Sequence, residues 1–257
     1  MSALDLSPAP GSAPLWRQVR TQAVMEAKLM MRNGEQVGVA IFVPLLALVV
    51  GVAGADKAGL DFDHTTIDVL TPGVLALGLM STAFTALAIA TGFERRYGLI
   101  KRLGASPLPR HGLLMGKMLA LVSVQVLQVV VICSVALAMG WNPPSAQGAL
   151  WGLTVGLLGS AAFASWALLL AGTVRAEATL AISNLVYLLL MAGGGVLVPV
   201  ANYGVVSNFL LWFPSGALGE GLRTALLDGQ QASFSVLVLA VWAVIGAMLA
   251  SRYFKWE

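Results

Sequence analysis

Long apolar runs alternate with short polar stretches along this 257-residue chain. A helix needs about 20 apolar residues to cross ~30 Å of hydrocarbon. Runs at 36–54, 71–93, 113–139, 149–173, 178–200 and 234–251 meet or approach that length, so the pattern predicts six transmembrane helices. Pro44 lies inside the first and is tolerated in such a helix. The polar breaks have their own character: DKAGLDFDHTTID is a solvated loop, WNPPSAQ a turn rich in breakers, and VRAE a tight charged turn. Residues 201–233 differ. Their apolar run FLLWF is too short to cross and is followed by Pro214, Gly216, Gly219 and Gly221, which predicts an extracellular re-entrant helical hairpin between the fifth and sixth helices.

Ahead of the first run, LWRQVRTQAVMEAKLMMR is too charged to span. At 100° per residue Trp16, Val19, Ala23, Ala27 and Met30 share one arc, while Arg17, Thr21, Lys28 and Arg32 lie opposite. This predicts an N-terminal amphipathic interfacial helix over 15–35, anchored by Trp16. Residues 1–14 have neither a basic region nor an apolar core of signal-peptide type and read as a disordered cytoplasmic tail. The remainder, 36–257, is one transmembrane domain.

Composition agrees with this pattern. The chain is 58% hydrophobic and 11% charged, with a mean hydropathy of +0.84. Soluble domains carry about a quarter charged residues, so the fold class is all-α integral membrane. A net charge of +3 does not signal nucleic acid, because the basic residues sit at membrane edges rather than on one soluble face. With six crossings both termini share a side, and every Lys and Arg except Lys57 and Arg223 falls there. The positive-inside rule makes that side cytoplasmic. Asp56, Asp61, Asp63, Asp68, Glu220 and Asp228 fall outside.

Candidate chemistry is sparse. The spans have no charged residue near their middles, where coupled carriers keep an ionisable group, so energy is expected to enter from elsewhere. GLLMGK is no phosphate loop, having too few residues between its glycines and no Ser or Thr after the lysine. Asp61 and Asp63 lack the rest of a calcium loop, and His64 and His111 have no metal-ligand spacing. Cys133 reads as a small buried hydrophobe. Within the spans the neutral polar residues Ser81, Thr82, Thr85, Gln125, Gln128, Ser160, Ser165, Ser183, Asn184 and Tyr187 read for the most part as polar glue between helices, with a minority lining a path, and Gly152, Gly156 and Ser160 read as a packing ridge.

One stretch stands apart: FERRYGLIKRLGASPLPRHGLLMGK, Phe93 to Lys117, concentrates Arg95, Arg96, Lys101, Arg102, Arg110 and Lys117. A helical projection places Glu94, Arg95, Lys101 and Arg102 on one arc and Tyr97, Leu99, Ile100 and Leu103 on the other. A loop that only fixed topology would not need those apolar positions. The spacing predicts a cytoplasmic docking helix for a soluble partner over 94–106, ended by Gly104 and Pro107.

With these elements in place, the chain resembles the ABC-2-type permeases, membrane subunits of type V ABC exporters such as the daunorubicin-resistance permeases. The resemblance rests on the order of elements and on ERRYGLIKRLGASPLPR with the following Gly116 and Lys117, then VLVPV, LWFPSG, GEGLR and DG. It implies a permease subunit of an ATP-driven exporter in the plasma membrane, with both termini cytoplasmic. A separate ABC nucleotide-binding ATPase would dock on Glu94, Arg95, Arg96, Tyr97, Leu99, Ile100, Lys101, Arg102 and Leu103, with Arg175 and Glu177 of the VRAE turn nearby. ATP and magnesium would then belong to that subunit, and this chain would carry no catalytic residue, cofactor or metal. A second permease, identical or related, would complete a cavity lined by Met80, Phe84, Asn184, Tyr187 and Met191. These neutral residues imply a lipophilic cargo, a drug or a lipid. Two alternatives stay open: a polysaccharide or haem exporter permease, and a non-transporting scaffold that recruits a soluble protein while embedded in membrane lipid.

Overall fold

The structure is a computed structural model that describes residues 13–32, 34–54, 64–104 and 109–254. The tail before residue 13, Asp56, Lys57, Asp61 and Asp63 of the first polar loop, Pro107 and the last three residues lie outside the described residues.

Among the described residues the fold is all-helical, without a strand. Helix α1 spans Leu15–Arg32 and α2 spans Gly34–Gly54. Then comes one continuous rod, Thr66–Arg96, made of α3 (Thr66–Met80), a π-helical turn (Ser81–Ala86) and α4 (Leu87–Arg96). The short α5 (Leu99–Gly104) precedes α6 (Arg110–Ala138), α7 (Ala146–Thr173) and α8 (Ala176–Gly193). A 3-10 stretch (Val200–Val206), the single turn α9 (Ser207–Leu210), α10 (Pro214–Leu226) and α11 (Ser233–Tyr253) complete the chain.

Five of these segments are long and apolar enough to cross a membrane: Thr66–Arg96, Gly112–Ala138, Ala146–Thr173, Ala176–Gly193 and Ser233–Tyr253. Helix α2 forms where the first span was expected, but its described apolar part, Ala40–Gly54, is shorter than the others. The expected run 178–200 ends early. Helix α8 stops at Gly193, where three successive glycines and then Pro199 end the helical ladder, and Gly195 takes a left-handed φ of 70°. The segment expected to be re-entrant consists of short pieces, none of spanning length.

The Thr66–Arg96 rod is the centre of the molecule. Its apolar stretch is 78% buried, against 17% for α8 and 28% for α11, so these outer helices turn apolar faces away from the protein. Small residues set how closely the layers approach. A Cβ on Gly152 would meet Leu226 of α10 at 2.6 Å, and one on Gly156 would meet Leu79 of α3 at 3.2 Å, so the Gly152–Gly156–Ser160 ridge is a packing face. Gly246 lets α11 lie directly on Ser165 and Trp166 of α7.

Neutral polar groups tie the spans where hydrocarbon would leave them unsatisfied. The Gln128 amide donates to the Ala40 carbonyl of α2 at 2.5 Å and accepts from the Thr82 hydroxyl at 3.0 Å, while Gln125 donates to the Leu79 carbonyl at 3.1 Å. Three helices thus meet at the start of the π turn. Such widened turns gather at functional positions, and no hydrophobic period announces them.

Candidate functional site: the docking end and the cleft beside it

The rod does not continue through the basic stretch as one helix. After Arg96 the backbone turns at Tyr97 (φ −83°, ψ 6°) and Gly98, whose φ of 68° suits only glycine without strain. Helix α5 begins afresh, the Arg102 amide donating to the Gly98 carbonyl at 3.1 Å. The single docking helix expected from Glu94 is therefore divided, and its two predicted arcs separate.

Each half has its own task. Arg95 donates to the carbonyls of Gly172 and Val174, satisfying acceptors that the end of α7 would leave orphaned. Arg96 pairs with Glu177 on the first turn of α8, where a carboxylate also suits the helix dipole. Together these two arginines fasten the end of α4 to the α7–α8 turn, which brings Arg175 and Glu177 beside the basic stretch. Tyr97 is 71% exposed and stacks on Phe93 with ring centroids 6.1 Å apart. Leu99, Lys101 and Arg102 are also exposed, whereas Ile100 is buried at 2% and Leu103 is half-buried. The outward surface of this end is thus Arg96, Tyr97, Leu99, Lys101, Arg102, Arg175 and Glu177. Ile100 packs inward and belongs to the support.

Glu94 also points inward. The Lys117 ammonium donates to Glu94 at 2.5 Å and to Glu26 of α1 at 2.9 Å, and the Gln22 amide donates to Glu26 at 2.9 Å. Lys117 is 3% exposed, so this is a buried cluster in which two carboxylates share one cation. It also alters the reading of α1. Val19, Gln22, Ala23 and Glu26 face the protein, and Gln22 lies where a Cβ on Gly116 would come within 2.7 Å. The arc of Val19 and Ala23 expected to face lipid packs on α6 instead, because that helix offers a glycine to approach and a lysine to pair with. Trp16 stays exposed, as an anchor would.

Above the cluster opens a cleft of about 680 Å³, lined by α1 and by the rod, with Ser81, Thr85 and Asn184 as its neutral polar groups and Glu26, Glu94 and Lys117 at one end. Of the residues expected to line a cavity, Asn184 lines this cleft and Phe84 lines a separate pocket of about 430 Å³ with Phe163, Val186 and Trp242. Met80 is fully buried, Phe84 sits edge-on to Phe163 of α7 at 6.3 Å, Tyr187 is buried with its hydroxyl facing Ser81, and Met191 packs against the core. Ser81 and Thr85, which do line the opening, lie on the π turn, whose wider pitch a spacing of 3.6 residues per turn does not follow. Lys117 could have been found from the Gly-Lys pair, but nothing local names its partners.

The opposite end of the rod is closed by two other buried polar groups. Asp68, in the first turn of α3, accepts from Thr65 at 2.5 Å and from the backbone and side-chain amides of Asn142 at 2.9 and 3.2 Å. Arg223 of α10, 4% exposed, donates to the carbonyls of Gly195, Val196 and Leu197 at 3.3, 2.6 and 2.7 Å. It supplies the partners that the broken end of α8 lacks, and Gly73 of α3 leaves room for it.

These features define a multi-pass helical membrane protein whose most buried span ends in an exposed, basic, aromatic-tipped surface beside a cleft. The ABC-2 type transporter family model matches residues 17–227, and the chain belongs to that family. A relative from Bacillus subtilis (strain 168), "Putative transport permease YvfS", is 26% identical over 181 residues, covering 69% of this chain and 72% of the relative. The chain is a membrane transport permease.

Proposed function

We propose that this permease is the membrane half of an ATP-driven exporter that moves a lipophilic small molecule out of the cytoplasm. In this reading α2 serves as the first of six spans, α10 and the pieces before it form the extracellular re-entrant hairpin, and both termini are cytoplasmic, as the distribution of Lys and Arg favours. A separate ABC ATPase supplies hydrolysis and its own ATP and magnesium. A second permease faces the cleft, since α8 beside it turns Leu185, Leu188 and Leu189 outward.

The observation that carries this proposal is mechanical. The exposed Tyr97, Lys101 and Arg102 follow directly from the most buried helix of the molecule, and Arg95 and Arg96 fix that same end to α7 and α8. A push on α5 therefore passes through the short turn at Tyr97 and Gly98 to Arg96, and from there along continuous helix to the lining of the cleft. Apolar walls with a few neutral polar groups suit a lipophilic cargo.

The test is co-purification with ATPases of the source cell, comparing wild type with Tyr97→Ala plus Lys101→Glu. Both changes lie on the surface, so they leave the fold intact. An ABC ATPase retained by wild type and lost by the variant supports the exporter. If no ATPase associates, or if association ignores the variant, the basic surface recruits some other protein and the exporter reading fails.

A further inference from the structure

The Glu26–Lys117–Glu94 cluster is buried charge to which the docking surface gives no task. As a device for stability alone it is poor, because desolvating three charges offsets most of their attraction and apolar residues of equal volume hold a fold as well or better. What distinguishes it is where it acts. Helices α1 and α6 pack closely along their contact, with Val19, Gln22 and Ala23 buried between them. Helix α4, among the described residues, has almost no packing of its own on either. The shared ammonium is thus the strong tie between the α1–α6 pair and the end of the rod that carries α5.

The three sides of the cluster are unequal. Glu26 is held twice, by Lys117 and by Gln22, whereas Glu94 is fastened by Lys117. Side-chain exposure rises from 3% for Lys117 to 10% for Glu26 and 18% for Glu94. If Glu94 withdraws, Lys117 and Glu26 remain as a neutral buried pair, and the departing carboxylate is the one nearest water. Opening at Glu26 would instead carry Glu26 and its α1 partner Gln22 away together and pull α1 off its packed interface with α6.

We propose that Lys117 is a positioning residue of the transport cycle, a latch that holds α1 and the α4–α5 end together across the floor of the cleft and lets go at Glu94 when α5 is displaced. The proposal rests on the docking reading above, because it takes α5 as the part that is moved. It assigns the Gly-Lys pair of the sequence a joint role: Gly116 admits Gln22 of α1, and Lys117 binds the neighbouring turn of the same helix.

The experiment is a double electron–electron resonance distance measurement on the permease alone in nanodiscs. Spin labels are placed at the exposed Met25→Cys of α1 and Lys101→Cys of α5 in a Cys133→Ala background, which becomes the parent. The parent is expected to give one narrow distribution. Glu94→Gln should lengthen and broaden it at an unchanged melting temperature. Glu26→Gln should leave it narrow, since packing on α6 still holds α1 and Lys117 still holds Glu94. Equal behaviour of the two glutamine variants, whether both narrow or both broad, overturns the proposal, as does broadening by Glu26→Gln alone. No ATPase is present, so this outcome is separable from a failure of docking, which co-purification reads.

Discussion

Replacing Arg223 with alanine removes the side chain that serves three consecutive carbonyls at a broken helix end. The magnitude follows from what is left behind. Gly195 and Val196 are buried, and Val196 is fully so, whereas Leu197 is partly open to its surroundings. Two carbonyls therefore stay dry and unpartnered, at about 1–3 kcal/mol each. The third can turn to water. Removing the buried guanidinium leaves no buried charge stranded, because its neighbour Glu220 is 35% exposed and pairs at a long 3.6 Å. Arg223→Ala is thus expected to lower the unfolding free energy by about 2–6 kcal/mol. Glu220→Ala, the control, should cost about 0–1 kcal/mol as a weak, half-open pair. The assay is titration with sodium dodecyl sulfate followed by tryptophan fluorescence, which Trp212 and Trp242 near this end make sensitive: the Trp242 indole donates to the Trp212 carbonyl at 2.8 Å. A loss below about 0.5 kcal/mol for Arg223→Ala, the range of indifferent surface changes, would refute the claim that this arginine closes the α8 break.

Other outcomes follow from the same contacts. Gln128→Leu should cost about 1–3 kcal/mol in the same titration, because the Ala40 carbonyl and the Thr82 hydroxyl lose the group that joins α2, the π turn and α6. Gly246→Leu should separate α11 from α7 and destabilise by about 1–3 kcal/mol, with the Trp166 and Trp242 emission shifting as their 5.3 Å ring contact opens. Gly98→Ala should cost about 1–2 kcal/mol for its left-handed φ of 68°, read as faster proteolysis between α4 and α5 with the transmembrane core intact.

How far the sequence could be read depended on the range of the interaction. Apolar runs and the 3.6-residue period located the helices well: α1 spans Leu15–Arg32, as its amphipathic pattern requires. Gln125, Gln128 and the Gly152–Gly156–Ser160 ridge were legible because polar or small residues inside an apolar helix have few uses besides packing. The division at Gly98 was visible only as a glycine. A projection at fixed pitch assumes one straight helix and cannot register that its φ is positive. The early end of α8 was hidden because GGGVLV is as hydrophobic as a span, while its backbone is irregular and needs Arg223 for satisfaction. Glu94 was assigned to the docking surface because it lies among exposed basic residues, yet it pairs with Lys117, 23 positions later, and through that lysine with Glu26. Pairings over such distances are set by how helices pack, and a single sequence holds no local record of them.

In the proposed exporter the α4–α5 end meets a nucleotide-hydrolysing subunit, and a photoreactive amino acid placed at Tyr97 in cells captures on illumination whatever touches this end. The account predicts a covalent adduct with an ABC ATPase, and no such adduct when the same residue is placed at Leu185 on the apolar face of α8. An adduct with lipid alone at Tyr97, or with a protein that binds no ATP, would contradict it.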